Sequence, residues 1–134
     1  MSAELHRSFD QLGKAVQRLG EALAEDERNP LFVDGVIQRF EFTIELFWKA
    51  LKRLLAHEGI EAQTPREVLQ RAYQVGWLAD ETAWLAMLHD RNETSHAYDE
   101  ALARKICESV RRNFPEMQRT LVALLQRLPP RAGN

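Results

Sequence analysis

Arg91, Asn92, His96 and Tyr98 fall within the stretch "DRNETSHAYDE", Asp90 to Glu100. Their types suit phosphoryl chemistry. A guanidinium is planar and permanently charged, so Arg91 can grip a phosphate with two parallel hydrogen bonds and stabilise the extra negative charge of a pentacoordinate phosphorus. An imidazole can act as general base near neutral pH, the role open to His96. Together the pair could drive an RNA 2′-hydroxyl onto its own phosphodiester without a metal, while the Tyr98 hydroxyl could contact a base or be modified.

On an uninterrupted helix Arg91 and His96 would lie about 140° apart and would not converge. Thr94, Ser95 and Asp99 are all good helix-capping residues, so one helix is expected to end near Asn92 and the last to begin between Ser95 and Asp99. The turn between them would let the two side chains meet. If His96 sits in the first turn of that last helix, its positive end disfavours a protonated ring and offers free N–H groups to an anion. An arginine near a helix C-terminus, a histidine in a cap and a tyrosine on a bundle surface are also common structural features, and spacing alone does not separate the two readings.

A second polar group lies in "RFEFTIELFWKALKR". Glu41, Glu45 and Lys49 stand four apart on one helical face, which by default is a solvated ladder of side-chain pairs. The sharper reading puts Glu45, Trp48 or Lys49 on the wall of a cleft facing Arg91 and His96. His89, Asp90 and His96 have no standard ligand spacing, so no metal site is expected. No glycine-rich phosphate loop, metal carboxylate cluster or nucleotidyltransferase motif occurs, so no cofactor is expected and any nucleotidyl transfer must come from a partner.

These residues need a scaffold, and 134 residues suffice for one domain with a substantial core. Hydrophobic residues are 45% and charged residues 28%, the balance of a folded, water-soluble chain. The formal charge of −2 excludes a general field for nucleic acid, so any RNA contact must be local. The single cysteine, Cys107, excludes an internal disulfide; its place on an apolar stripe predicts a buried thiol in a reducing cytoplasm. Neither a signal-peptide core nor a membrane-length apolar run is present, which predicts a cytosolic protein without membrane contact.

Leu5, Phe9, Leu12, Val16, Leu19 and Leu23 form one narrow seam on a first helix. Asn29 as cap and Pro30 at the first position would open a second helix, about Pro30 to His57. It carries the seam Val33, Ile37, Phe40, Ile44, Phe47, Leu51 and Leu54, and a second set, Phe32, Val36, Phe42, Leu46 and Trp48. Two apolar faces mean two sets of neighbours, so this helix should be central, with one face under a short helix or a second subunit. Gly59 should end it; Thr64, Pro65 and Glu67 form a capping box for a short helix that Gly76 stops, and Asp80 caps the next. In the last segment the apolar phase from Leu102 to Leu128 runs through Pro115, which predicts a kink at about Arg111 to Pro115 rather than a break. The expected fold is all-α: an antiparallel up-down four-helix bundle with one short additional helix, spanning residues 1–128, followed by a disordered tail "PPRAGN" over 129–134.

The order arginine, polar residue, three residues, histidine, with a tyrosine two further on, resembles the signature of the HEPN superfamily. "FEFTIELFWKALK" (Phe40 to Lys52), "TPREVLQRAYQVGWL" (Thr64 to Leu78) and "WLAMLHDRNETSHAYDE" (Trp84 to Glu100) together resemble the nucleotidyltransferase substrate-binding protein family within it. The resemblance implies a homodimer that forms a larger complex with a separate minimal nucleotidyltransferase. It also implies a toxin–antitoxin pairing in which the helical protein is a metal-independent ribonuclease and the transferase silences it by adding AMP to the motif tyrosine. Carried over, Arg91 and His96 are the catalytic pair, Asn92 positions them and Tyr98 is the acceptor. The leading expectation is a non-catalytic, nucleotide- or substrate-binding partner subunit; the alternative is the ribonuclease, and a third reading is a helical dimerisation module without ligand.

Overall fold

The spacing of Leu5, Phe9, Leu12, Val16, Leu19 and Leu23 produces a single buried seam on α1 (Ser2–Leu23) in the computed structural model, which describes residues Ser2–Arg131. Four further helices follow: α2 (Phe32–His57), α3 (Pro65–Gln74), α4 (Glu81–Glu93) and α5 (Glu100–Leu125), with a 3₁₀ turn over Thr94–His96 between the last two. Among the described residues there is no strand.

Most helix boundaries follow local chemistry. Thr64 accepts the Glu67 N–H at 3.1 Å, with Pro65 at the first position of α3, and Asp80 accepts the Ala83 N–H at 3.0 Å to open α4. Gly59 and Gly76 take positive φ, 82° and 85°, as the residues that end α2 and α3. Beyond each glycine the next N–H turns back to close the helix, Ile60 to the Leu55 carbonyl and Trp77 to that of Ala72, both at 2.9 Å. The start of α2 departs from expectation. Asn29 does not cap it; its side-chain oxygen takes the Leu31 N–H at 2.9 Å, a local turn that holds Pro30 outside the helix and delays the first helical residue to Phe32. α5 runs as one element through Pro115, without the break a proline can impose.

Cross-helix contacts fix the topology. Thr43 donates to the Ala15 carbonyl at 3.2 Å while Arg53 reaches Ser8, so α1 and α2 are antiparallel. Glu41 meets Thr94, just beyond α4, and Phe47 stacks on Trp84 within it, so α2 and α4 are antiparallel too. At one end of the pair the ring of Phe114 lies beside Gly20, and at the other the Pro129 carbonyl meets His6, so α5 runs back along α1. The result is an up-down four-helix bundle with α3 as the short addition, and α2 touches every other helix.

Phe40, Ile44, Phe47, Leu51, Leu54 and Leu55 of α2 are fully enclosed, and each such side chain contributes about 1.5–3 kcal/mol of transfer free energy. The Phe47 and Trp84 rings sit 4.5 Å apart at 59°. The second apolar set of α2 divides: Phe32 and Val36 are buried, Leu46 and Trp48 are half-buried, and Phe42 is 50% exposed. Among the described residues no helix covers Phe42. The segment after α5 is held as far as it is described, since Pro129 accepts a bond from His6 and Arg131 pairs with Asp10 at 2.8 Å. The rest of the expected tail, residues 132–134, lies outside the described residues. Among the described residues no helix is long and apolar enough to cross a membrane.

Candidate functional site

The last turn of α4 and the 3₁₀ turn behind it carry the motif, and three cross-links brace them. Asp90 accepts the hydroxyl of Ser109 on α5, Arg91 pairs with Glu45 on α2, and Thr94 Oγ1 lies 3.0 Å from a Glu41 carboxylate oxygen and 2.6 Å from the Arg91 carbonyl. Ser95 turns its hydroxyl back to the Asn92 carbonyl at 3.2 Å. Thr94 and Ser95 therefore close the end of α4 instead of opening α5, a competition that short hydroxyl side chains often enter. Asp99 opens α5 by accepting the Leu102 N–H at 3.2 Å.

This corrects one expectation about His96. It belongs to the 3₁₀ turn and precedes the cap of α5, so it does not sit in the first turn of that helix. His96 is exposed, and its ring stands edge-on to that of Tyr98 with centroids 6.3 Å apart. Tyr98 is 86% exposed.

Arg91 is half-buried. Its Nη2 meets Glu45 Oε1 at 2.5 Å, and its Nη1 has a long 3.4 Å bond to the side-chain oxygen of Asn92, which is itself exposed. Glu45 Oε2 accepts the Trp48 indole N–H at 3.2 Å and lies 3.9 Å from Lys49 Nζ, which stands 6.0 Å from the Trp48 ring centre. Arg91, Asn92, Glu45, Trp48 and Lys49 thus form one bonded cluster, and His96 with Tyr98 forms a second. Among the described residues no hydrogen bond or ion pair joins the two clusters. Glu41, Asp90, Thr94 and Ser109 were not singled out by sequence as supports. The four-residue spacing of Glu41 and Glu45 was the available signal, because it places both carboxylates on the face of α2 that meets the motif.

The Asp90 carboxyl is pushed above its ordinary range, mainly by burial, against the opposing pull of the Ser109 bond and of His89 and Arg112. Cys107 is buried against the Val33 carbonyl, and burial raises its thiol to about 11, which leaves it a packing group rather than a nucleophile. Among the described residues no group of three or more histidine, cysteine, aspartate or glutamate side chains is arranged to hold a metal ion. The region therefore offers a half-exposed guanidinium with a nearby ammonium and, on the turn that follows in the chain, an accessible imidazole and phenol.

Residues 7–127 match the family described as nucleotidyltransferase substrate binding protein like. A Thermus thermophilus protein known from its crystal structure superposes with a TM-score of 0.74 at 38% identity, over 89% of this chain and 99% of that one. A Haemophilus influenzae structure, described as revealing the fold of a substrate binding domain of a nucleotidyltransferase, aligns with a TM-score of 0.67 at 27% identity, over 94% of this chain and all of that one. A Haemophilus influenzae protein named as a probable ribonuclease HepT is 35% identical over 79 residues, which are 55% of this chain and 54% of that protein, so the match spans about half of the relative's length. With the match running from the first helix to beyond the last, the chain belongs to the nucleotidyltransferase substrate-binding protein family.

Proposed function

We propose that this protein is a non-catalytic nucleotide- or substrate-binding subunit that works as a homodimer with a separate minimal nucleotidyltransferase, in a two-component system of toxin–antitoxin type acting in the cytoplasm. The observation that carries this reading is the open strip of α2. Phe42 is 50% exposed and Leu46 and Trp48 are half-covered, directly beside the Glu45–Arg91 cluster. An apolar strip edged by charged groups has the composition of an interface core with a polar rim. Glu45, Trp48, Lys49 and Arg91 would then border the bound nucleotide. The chain should co-purify with the transferase encoded beside it, and Phe42→Asp should abolish dimerisation or that capture. A wild-type chain that stays monomeric and ignores the transferase refutes the proposal.

A second reading has its own support. The exposed His96 and Tyr98 rings lie together on the turn that follows Arg91 in the chain, which suits a metal-independent endoribonuclease. In this reading His96 takes the proton of the RNA 2′-hydroxyl and Arg91 holds the phosphate, with Asn92 positioning it. Two motifs in a dimer would concentrate positive charge that the net composition hides. AMP transferred to Tyr98 would place a bulky anion against the His96 ring and silence it. His96→Ala should abolish RNA cleavage with the fold intact, and co-expression with the transferase should add the mass of AMP unless Tyr98 is changed to Phe. Cleavage that survives His96→Ala would remove this mechanism.

A further inference from the structure

We propose that Glu45 is the positioning residue of Arg91: it holds the guanidinium by one nitrogen so that the remaining N–H groups are presented to a phosphate. The proposal rests on the reading of Arg91 as a phosphate-binding group and adds what makes it competent.

The carboxylate is pinned from both sides. Oε1 takes Arg91 Nη2, Oε2 takes the Trp48 indole N–H at 3.2 Å, and Lys49 Nζ stands 3.9 Å from the same Oε2. Its side chain is 28% exposed, against 42% for Arg91. A glutamate with a donor on each oxygen has little freedom to swing, so the arginine it holds is oriented as well. This is more than an ordinary surface pair, in which two long side chains lose entropy for little gain.

The contact geometry also separates a brace from a cage. A carboxylate that neutralised Arg91 completely would meet it as a fork, with two parallel bonds. Here one nitrogen is engaged, and Nη1 has only the 3.4 Å contact with Asn92. Nη2 carries two hydrogens, so with Glu45 on one of them the other can still form a fork with its neighbouring nitrogen for a phosphate oxygen pair. The charges agree with this: Arg91 and Lys49 against Glu45 leave the cluster with one net positive charge.

Glu45→Gln tests this sharply because Arg91 and Trp48 are both donors. A carboxylate accepts from both, whereas an amide accepts one and turns its own NH₂ against the other. The probe is inorganic pyrophosphate, followed by nuclear magnetic resonance at the Arg91 Nε–H and the Trp48 indole N–H of the full chain. In the wild type, pyrophosphate should shift the Arg91 signal saturably. In Glu45→Gln, binding should weaken at least about fivefold, and the Trp48 signal should move before any ligand is added, while the thermal midpoint stays close to wild type. Arg91→Lys should also bind more weakly, because an ammonium cannot form the fork. With RNA as substrate, Glu45→Gln should lower kcat at least about tenfold and change KM less. Equal or tighter pyrophosphate binding by Glu45→Gln would show Glu45 to be a competitor or a bystander and would overturn the proposal. So would a wild type whose Arg91 signal ignores pyrophosphate. A wild type that binds pyrophosphate in a Glu45-dependent way yet cleaves no RNA would refute the ribonuclease reading and leave the brace standing.

Discussion

Thr94 reaches Glu41 at 3.0 Å across 53 positions of sequence, and the same hydroxyl lies 2.6 Å from the Arg91 carbonyl. One buried hydroxyl thus joins α2 to the end of α4 at the point where the chain turns toward His96. Thr94→Val keeps the shape and removes the one proton that the two oxygens share, leaving a half-buried carboxylate without that donor. It should cost about 1–2 kcal/mol, as a lower urea midpoint at unchanged slope, and Thr94→Ser should recover most of the loss. An unchanged midpoint for the valine variant would mean that water satisfies Glu41 equally well.

Asp90 supplies a pH test of the second brace. Burial raises its carboxyl in the folded chain above the unfolded value, so the folded state holds this proton more tightly. The residue costs nothing where both states are protonated; its cost grows as pH rises through the unfolded value and is complete above the raised folded one. Asp90→Asn retains an oxygen for the Ser109 hydroxyl and cannot ionise. Urea midpoints from about pH 3.5 to about pH 6.5 should therefore rise less or fall more with pH in the wild type than in Asp90→Asn, with the asparagine variant at least as stable at the upper end. Parallel profiles would show that Asp90 is not desolvated in the folded chain.

The bundle was legible in the sequence because its signals are local. Seams at steps of three and four, the Thr64 and Asp80 caps, and the glycines at positive φ each act within a few residues, and each is where the periodicity put it. Asn29 misled because an asparagine before a proline serves a turn as readily as a helix cap, and nothing nearby decides between them. The same ambiguity displaced His96: three capping residues precede α5, and only packing against α2 commits Thr94 to closing α4. The cluster of Glu45, Trp48 and Lys49 was visible as a helical face turned toward Arg91, but which of the three would pair with it was not. Which residue a long side chain crosses the bundle to meet depends on how helices dock, and that is not written in spacing.

Cys107 gives a measure of packing between α2 and α5. Burial pushes its thiol to about 11 against the opposing pull of Arg111 and Arg104, so almost no thiolate exists at neutral pH. Iodoacetamide at about pH 8 should leave the native chain unlabelled for hours and label it rapidly once urea passes the unfolding midpoint. Fast labelling of the native protein would mean that the two helices open locally far below that midpoint.

His6 secures the segment beyond α5. The ring is 5% exposed, with Nδ1 2.7 Å from the Ser2 carbonyl and Nε2 2.7 Å from that of Pro129. Carbonyl oxygens only accept, so both bonds form together only with a ring protonated on both nitrogens. The neighbouring Asp10 carboxyl is held below its usual range first by the Arg131 hydrogen bond, with His6 adding to the effect. His6→Leu fills similar space and removes both side-chain bonds, at a cost of about 1–3 kcal/mol. The segment from Gln126 onward should then separate from α1, and trypsin should cut after Arg127 several-fold faster than in the wild type while α5 itself stays protected. Equal cleavage rates would show that the Asp10–Arg131 pair alone holds the segment, and that the histidine merely fills space at the end of α1.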